Sequence, residues 1–182
     1  MAVQRVILKY LERISNQEVN IYIFNMSEFS HLDKNGLAAM VDVSEKKISQ
    51  RAAIARSIVV LPGEVAEKLV NGDIQTKKGS VFQTAIIAGI MAAKKTSELI
   101  PLCHPIGLDN CKIDIQVHQH ELWIDCTAAI TSKTGVEMEA LVGASIAALT
   151  VYDMCKALSH DIVIKETKLV EKTGGKNDYR RT

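Results

Sequence analysis

Aromatic residues, excess positive charge and long apolar runs are all scarce in this sequence. Aromatic side chains make up 4% of its 182 residues, and 22 lysines and arginines are balanced by 21 aspartates and glutamates. A nucleic-acid-binding domain needs a basic excess or a basic stripe, so we expect no nucleic-acid partner. The longest apolar stretch, 81–93, is broken by polar residues and is too short to span a bilayer. The N-terminus lacks an apolar signal core, so we expect a cytoplasmic protein without a membrane partner.

Closely spaced metal ligands are absent as well. The four cysteines lie far apart without a Cys-x-x-Cys pair, at Cys103, Cys111, Cys126 and Cys155. In a reducing compartment this pattern is typical of free thiols packed as small hydrophobic groups. A zinc site built from Cys103, His104 and distant ligands is the alternative, but ligand pairs usually come closely spaced. We therefore predict no metal site.

The hydrophobic content of 47% is sufficient for one globular core. The apolar pattern divides the chain into three parts. Residues 1–40 form an N-terminal extension, with helical apolar spacing at 3–14 and a polar loop at 27–36. Residues 41–176 form a single domain, and residues 177–182 form a polar tail.

Within that domain, the hydrophobic periodicity predicts four strands and three helices. The strands cover 49–61, 111–117, 122–130 and 161–170, with a turn at 118–121. The helices cover 62–70, 80–95 with Ser80 as its cap, and 136–158. The order β-α-α-β-β-α-β predicts an α+β fold of the ferredoxin-like split βαβ type. Such a sandwich has a four-stranded antiparallel sheet with helices packed on one face.

Two loops combine polar side chains with an apolar neighbourhood. Lys77 and Lys78 precede the second helix, where backbone N–H groups and lysine charge attract phosphate, although a solvated loop fits the pattern equally well. His104 lies between two prolines in a largely apolar stretch. It is either a satisfied core histidine or a rigidly held general acid or base.

The long helix carries ionisable residues at both ends. Glu137 and Glu139 lie near its N-terminus, where the helix dipole favours carboxylates. They point about 200° apart around the axis, so at most one of them faces any given site. Asp153 and Lys156 are three residues apart and share a face near the other end. They form either a helical ion pair or a carboxylate and an amine that act on one substrate.

Six segments together carry a specific resemblance. They are MVDVS at 40–44, AGIMAAK at 88–94, LIPLCHP at 99–105, KTGVEMEAL at 133–141, AALTVYDMCKA at 147–157 and GGK at 174–176. In sequence, order and spacing the chain resembles the cyclic pyranopterin monophosphate synthase (MoaC) family over roughly residues 26–176. Ser80 and Ile86 depart from the family pattern, which usually has aspartate and arginine there, and residues 1–25 have no counterpart.

The resemblance implies a phosphorus-oxygen lyase of molybdenum cofactor biosynthesis. Such an enzyme converts the cyclised dihydro-GTP made by a radical S-adenosylmethionine GTP cyclase, 3',8-cyclo-7,8-dihydroguanosine triphosphate, into cyclic pyranopterin monophosphate and pyrophosphate. It implies no required cofactor, with Mg²⁺ as an optional companion of the triphosphate. It also implies a homohexamer, a trimer of dimers, whose active sites lie between subunits.

Residue roles follow from the matching positions. Asp153 and Lys156 would be the central acid/base pair. The residues expected to line the substrate are Leu102, Cys103, His104, Glu137, Met138 and Glu139. The residues expected to contact the triphosphate are Arg51, Lys78, Lys172 and Lys176.

The length of the long helix adds a prediction from geometry. Glu139 and Asp153 are fourteen residues apart, which is about 21 Å at 1.5 Å per residue. One subunit cannot easily hold a nucleoside triphosphate at both ends of that helix, so we expect each pocket to take Glu139 and Asp153 from different chains. The competing hypotheses are a catalytically silent binding subunit and a zinc-dependent nucleotide hydrolase that uses Cys103 and His104.

Overall fold

The computed structural model describes Asn35 and residues 37–181. The chain divides into two units, Met1–Ala39 and Met40–Thr182, and the description below concerns the second. The helix predicted at 3–14 lies outside the described residues, as does almost all of the loop predicted at 27–36.

The second unit is built on an antiparallel sheet in the order β5-β6-β1-β7-β8. Its strands are β1 (Ser49–Val60), β5 (Asn110–His118), β6 (Glu121–Ser132), β7 (Val163–Thr173) and β8 (Tyr179–Arg180). The antiparallel α+β architecture is confirmed, but the sheet has five strands where four were predicted. The extra strand, β8, is only two residues long and lies in the predicted polar tail, where no alternation of apolar residues predicts a strand.

The β5–β6 hairpin follows the predicted period of two. Alternate β6 residues are buried, and they are Leu122, Ile124, Cys126, Ala128 and Ile130. The residues between them remain partly exposed, so one face of the sheet is covered and the other is not. Gln119 adopts a positive φ of 57° in the two-residue turn, as the geometry of tight hairpins requires.

In the described part of the chain four helices accompany the sheet: α1 (Gly63–Ala66), α2 (Val81–Ala93), α3 (Thr96–Leu99) and α4 (Glu137–Cys155). The Oγ atom of Ser80 accepts a hydrogen bond from the backbone N–H of Gln83 at 3.0 Å, which confirms Ser80 as the cap of α2. Asp73 also stabilises the N-terminal end of α2. Its carboxylate accepts hydrogen bonds from Phe82 N at 2.9 Å and from the Ser80 hydroxyl. Ile86, the other departure from the family pattern, packs half-buried against the core.

The helix predicted at 62–70 is wrong in its second half. It ends at Ala66, and the chain continues through β2 (Leu69–Val70), β3 (Asp73–Thr76) and β4 (Gly79–Ser80), which form a small three-stranded sheet. Asn71 and Gly72 have positive φ values of 52° and 79° and make the turn between β2 and β3. The Asn-Gly pair therefore closes a hairpin instead of ending a helix.

Helices α2 and α4 pack against each other through glycine. A Cβ atom on Gly89 would lie 2.7 Å from the carbonyl oxygen of Gly143, and one on Gly143 would lie 2.6 Å from the Cys126 sulfur. The Cβ on Gly89 would also lie 2.8 Å from Ile113. Ile113 and Cys126 are register partners on the covered face, so both helices lie on that face, as predicted.

Among the described residues, α4 is the one helix that is long and apolar enough to cross a membrane by length and composition. Of its most apolar window, 56% is buried inside the fold, which is typical of a core helix. The alanine and glycine residues of α4 are all buried, and they are Ala140, Gly143, Ala144, Ala147 and Ala148.

Candidate active site

The C-terminal end of α4 carries a carboxylate that is paired with two lysines. Asp153 Oδ1 lies 2.7 Å from Lys156 Nζ, and Asp153 Oδ2 lies 3.3 Å from Lys78 Nζ. Lys78 comes from the turn between β3 and β4, 75 positions away in the chain. The three side chains are 49–63% exposed, so the group is open to a ligand.

Charge pairing fixes the protonation of this group. The hydrogen bond from Lys156, followed by that from Lys78, holds the pKa of Asp153 below its ordinary value. Asp153 in turn raises the pKa of Lys156. Because these side chains are exposed, burial opposes the pairing only weakly. At neutral pH the Asp153 carboxylate is therefore ionised and the Lys156 amine is charged.

The N-terminal end of α4 carries a second charged group. Glu137 Oε1 lies 3.0 Å from Lys172 Nζ, and Arg51 donates from Nε to the carbonyl oxygen of Ser132 at 3.1 Å. A narrow crevice joins these side chains, and it is lined by Arg51, Ala52, Gly135, Val136, Glu137, Lys172, Thr173 and Gly175. Two cations and a carboxylate thus share one crevice at the start of the helix.

Glycines bring the 174–176 turn close to Arg51. Gly174 has a φ of +79°, and a Cβ there would overlap the carbonyl oxygen of Gln50. A Cβ on Gly175 would lie 3.6 Å from Nη1 of Arg51. Lys176 follows directly and is exposed. The turn therefore places a third cationic residue next to the crevice. A wider cavity of about 420 Å³ also opens beside Arg51, at the ends of β1 and β6.

Glu139 and Cys103 lie in a less exposed part of the same region. Glu139 is 4% exposed, and its burial raises its pKa, with the nearby charge of Glu137 adding to the effect. Burial also raises the pKa of Cys103, and the charge of Glu139 contributes. The 102–104 turn therefore lies near the start of α4, with its three side chains half-buried. Met138 is 38% exposed beside Glu139.

His104 is held by a backbone group. Its Nε2 atom lies 2.8 Å from the carbonyl oxygen of Val41. Of the two interpretations left open by the sequence, a core histidine would have both ring nitrogens satisfied. Among the residues that the structure describes, one ring nitrogen of His104 has a hydrogen-bond partner, and the residue is half-buried beside Cys103. This arrangement favours a ring with one nitrogen available to a ligand.

Burial of Glu139 should make the stability of the protein depend on pH. Because its pKa is raised from 4.5, the folded state binds the proton more tightly than the unfolded state. This contribution to stability is complete below about pH 4.5 and is lost as pH rises through the folded pKa. We expect Glu139→Gln to gain stability relative to the unmodified chain between pH 4.5 and pH 7.5, by about 1.4 kcal/mol per unit of raised pKa. Urea denaturation at the two pH values measures the change.

Glu67→Gln is the matched control for this measurement, because Glu67 is an exposed glutamate at the end of α1. Its stability difference from the unmodified chain should be the same at both pH values. A pH dependence of Glu139→Gln equal to that of the control would contradict the raised pKa.

Comparison with known proteins identifies the family of the chain. The family model described as MoaC family matches residues 40–175, more than half of the chain. The chain belongs to the MoaC family. This match covers every residue that was predicted for the site except Lys176, which lies one position beyond it.

Several curated members of the family are half identical to the chain. Proteins called cyclic pyranopterin monophosphate synthase from Xanthomonas campestris pv. campestris (strain B100) and Lysinibacillus sphaericus (strain C3-41) are each 52% identical to it. These alignments cover 84% of this chain and 93% and 96% of the two relatives. A molybdenum cofactor biosynthesis bifunctional protein from Synechocystis sp. is 52% identical over 159 residues.

Some relatives are much longer than this chain. The chain spans about half of the Synechocystis protein, 46% of its length. It spans 27% of molybdenum cofactor biosynthesis protein 1 from Dictyostelium discoideum, to which it is 50% identical. The MoaC region is therefore found both nearly alone and as one part of larger proteins.

The structure divides the predicted MoaC site residues into two groups. Glu137, Glu139, Met138, Arg51 and Lys172 gather at the start of α4, together with the 102–104 turn and Lys176. Asp153 and Lys156 lie at its other end. Lys78 was predicted with the triphosphate contacts, but the structure places it with Asp153. This pairing could not be predicted from the sequence, because Lys78 lies in the turn of the β3–β4 hairpin, which the hydrophobic pattern does not predict.

Within the part of the chain that the structure describes, no group of three histidine, cysteine or acidic side chains is close enough to hold a metal ion. Among those described residues, Cys103 and His104 thus have no third side chain of these types close enough to complete a metal-binding group. Cys111 and Cys126 lie 4.0 Å apart, sulfur to sulfur, between β5 and β6, and all four cysteines are free thiols.

Proposed function

We propose that the chain is a cyclic pyranopterin monophosphate synthase, a phosphorus-oxygen lyase. It converts 3',8-cyclo-7,8-dihydroguanosine triphosphate to cyclic pyranopterin monophosphate and releases pyrophosphate. The observation that carries the proposal is the group Lys78–Asp153–Lys156, a carboxylate hydrogen-bonded by two amines on an exposed helix end. The names of the MoaC relatives that align over nearly their full lengths support the same reaction.

The charge state of this group suits the reaction. Rearranging a purine into a pterin requires several proton transfers, and positioned acids and bases accelerate them. Asp153 is ionised, so it enters the cycle as a proton acceptor. Lys156 is charged, so it enters as a proton donor. Each transfer neutralises its group, and the protonated carboxyl group of Asp153 can then return a proton to the neutral amine of Lys156, 2.7 Å away.

The release of pyrophosphate uses cations. A cyclic monophosphate forms when a substrate hydroxyl oxygen attacks the α-phosphorus and the bond from that phosphorus to the departing pyrophosphate oxygen breaks. Negative charge then grows on the departing group and needs neutralisation. We assign this role to Arg51, Lys172 and Lys176 at the crevice, with Mg²⁺ as an optional companion of the triphosphate. The position of Lys78, whose Nζ lies 3.3 Å from Asp153 Oδ2, instead favours a role beside Asp153.

The remaining predicted residues would hold the ring system. Glu139 lies in an apolar environment that favours its neutral form, so it can donate a hydrogen bond to a ring nitrogen or carbonyl group. Met138 and Leu102 offer apolar contact. Cys103, His104 and Glu137 complete the half-buried surface around it.

The pocket would be shared between subunits. The two groups of side chains lie at opposite ends of α4, a helix of 19 residues, and about 21 Å lie between Glu139 and Asp153 along the axis. We propose a homohexamer, a trimer of dimers, in which the start of α4 from one chain faces the end of α4 from another. A repeated assembly of this kind gives every pocket one half from each of two neighbours.

The remaining parts of the proposal concern context. We assign catalysis to residues 41–176 in the cytoplasm, without a required cofactor, downstream of a radical S-adenosylmethionine GTP cyclase. We also propose a ferredoxin-like arrangement for the four long strands, since β5-β6-β1-β7 corresponds to the order second, third, first and fourth among them.

The test is incubation of the purified protein with the cyclised dihydro-GTP, with and without Mg²⁺. Mass spectrometry should detect cyclic pyranopterin monophosphate in the same amount as the pyrophosphate released. Absence of both products with protein and substrate at equal concentrations would exclude the synthase and favour a binding subunit. Pyrophosphate without the pterin product would indicate a hydrolase.

A further inference from the structure

Residues 41–44 connect two loops of the site. The carbonyl oxygen of Val41 lies 2.8 Å from Nε2 of His104, and the carbonyl oxygen of Ser44 accepts a hydrogen bond from Lys133 Nζ at 2.6 Å. His104 belongs to the loop after α3, and Lys133 belongs to the loop between β6 and α4. The segment is therefore fixed at one end by a ring of the site and at the other by the loop that leads to Glu137 and Glu139.

The segment is stiff between these two attachments. The Oδ1 atom of Asp42 accepts hydrogen bonds from the backbone N–H and the hydroxyl of Ser44, at 2.8 and 2.7 Å. The N–H of Lys46 closes the next turn onto the carbonyl oxygen of Val43 at 3.1 Å. Aspartate turns of this kind replace backbone freedom with a defined geometry. A displacement at Ser44 would therefore be transmitted to the carbonyl group of Val41.

Electrostatics keeps this turn closed. The two hydrogen bonds from Ser44, with a smaller contribution from the charge of Lys133, hold the pKa of Asp42 below its ordinary value. Asp42 is therefore ionised at neutral pH and remains an acceptor for both bonds. Lys133 thus supports the segment twice, through its hydrogen bond to Ser44 and through its charge near Asp42.

The contact with Val41 determines which nitrogen of His104 carries the proton. A carbonyl oxygen can only accept, so Nε2 must donate. In the neutral imidazole, Nδ1 is then unprotonated and available as an acceptor. Among the described residues Nδ1 has no hydrogen-bond partner. The ring is thus presented with a basic nitrogen free to receive a proton or a hydrogen bond from a ligand.

We propose that Lys133 is a positioning residue for His104: through Ser44 and the 41–44 turn it fixes the Val41 carbonyl group, and so the tautomer and orientation of the ring. The proposal rests on the proposed function only where catalysis is concerned, since the tautomer is a property of the protein without substrate. Lys133 itself does not touch the reacting atoms in this role. Lys133 belongs to the KTGVEMEAL segment that carries the family resemblance, but no role was predicted for it from the sequence.

The first test reads the tautomer directly by nitrogen-15 NMR of histidine-labelled protein, at a pH where the ring is neutral. His104→Gln identifies the resonances of His104. In the unmodified chain, Nε2 should carry the proton. In Lys133→Met the two ring nitrogens should approach averaged shifts, because the carbonyl group is no longer held, and Lys133→Arg should restore the separate shifts. Asp42→Ala opens the same turn from its other side and should give the Lys133→Met pattern.

The second test measures turnover. Misplacing a group that orients the substrate costs up to about 100-fold in rate, so Lys133→Met should lower kcat by about 10- to 100-fold while KM changes by less than about 3-fold. Lys133→Arg should recover most of kcat. The double variant Lys133→Met with His104→Gln should be no slower than His104→Gln alone, because both changes remove the same contribution. Lys165→Met is the control, since Lys165 forms an exposed ion pair with Glu121 at 2.9 Å, away from this segment.

The two tests separate this proposal from the proposed function. An unchanged His104 spectrum in both Lys133→Met and Asp42→Ala overturns the positioning role, whatever the activity. Additive losses in the double variant also overturn it. If the unmodified chain forms no pterin product but the spectra change as expected, the proposed reaction fails and the positioning of His104 stands.

Discussion

Replacing Asp153 by asparagine is expected to lower the rate of pyrophosphate release by two to four orders of magnitude, the range usual for loss of a positioned acid or base. The amide has nearly the same shape but cannot accept and return a proton. It also lacks the charge that pairs with Lys156 at 2.7 Å and Lys78 at 3.3 Å. Asp153 is 53% exposed, so the melting temperature should change little. Formation of pyrophosphate and of the pterin product under saturating substrate measures the effect.

Glu121→Gln provides the matched control for this experiment. Glu121 also pairs with a lysine, Lys165, at 2.9 Å, and hydrogen bonds from Trp123 and Lys165 also hold its pKa below its ordinary value. It lies at the start of β6, among none of the predicted site residues. It should keep activity within about 2-fold of the unmodified chain, as is usual for surface substitutions. An equal loss in both variants, or full activity in Asp153→Asn, would remove Asp153 from the mechanism.

Mixing two inactive variants should restore activity if pockets are shared. Asp153→Asn chains still supply an intact start of α4, and Glu139→Ala chains, which lack the side chain that holds the ring system, still supply an intact end. If each pocket takes its two halves from two neighbouring chains, each half is intact with a probability of about one half after equal amounts of the two chains exchange at random. About a quarter of the pockets then receive both intact halves. Up to about a quarter of the unmodified activity should therefore appear, measured after dissociation and reassembly of the mixture.

A second mixture distinguishes shared pockets from partial reactivation of either chain. Asp153→Asn and Lys156→Met are both defective at the same end of α4, only three residues apart. Every pocket in their mixture contains one of the two defects, so no activity should return. Recovery that is equal in both mixtures, or absent from the first after subunit exchange has been verified by mass spectrometry, would contradict the shared pocket.

The long elements of the fold could be predicted because their apolar residues repeat without interruption. In β6, every second residue from Leu122 to Ile130 is buried, as alternation predicts. The short β2–β3 hairpin could not be predicted, because Val65, Leu69 and Val70 continue a helical spacing across it. Only pairing between strands decides that Leu69 and Val70 are extended, and such pairing leaves no periodic signal over two residues.

In the candidate site, too, contacts between residues close in the sequence could be predicted and contacts between distant residues could not. Asp153 and Lys156 could be paired from their spacing on one helix. The third member, Lys78, could not, because its place depends on the hairpin that ends beside the C-terminus of α4. The protonation state of Lys156 could not be predicted from the sequence either. The exposure of its side chain decides whether pairing with Asp153 or burial controls its pKa. The contact between His104 and Val41 joins residues 63 positions apart, which no motif reveals.

The glycine contact between α2 and α4 has a mechanical consequence. At Gly89 and Gly143 the two backbones meet without intervening side chains, and Ala93 and Ala147 close the contact on either side. A helix held in such a notch cannot slide along its axis or turn about it without first moving away from its neighbour. The contact therefore fixes the axial position of α4 against α2, and with it the positions of Glu139 and Asp153 near the two ends of the helix.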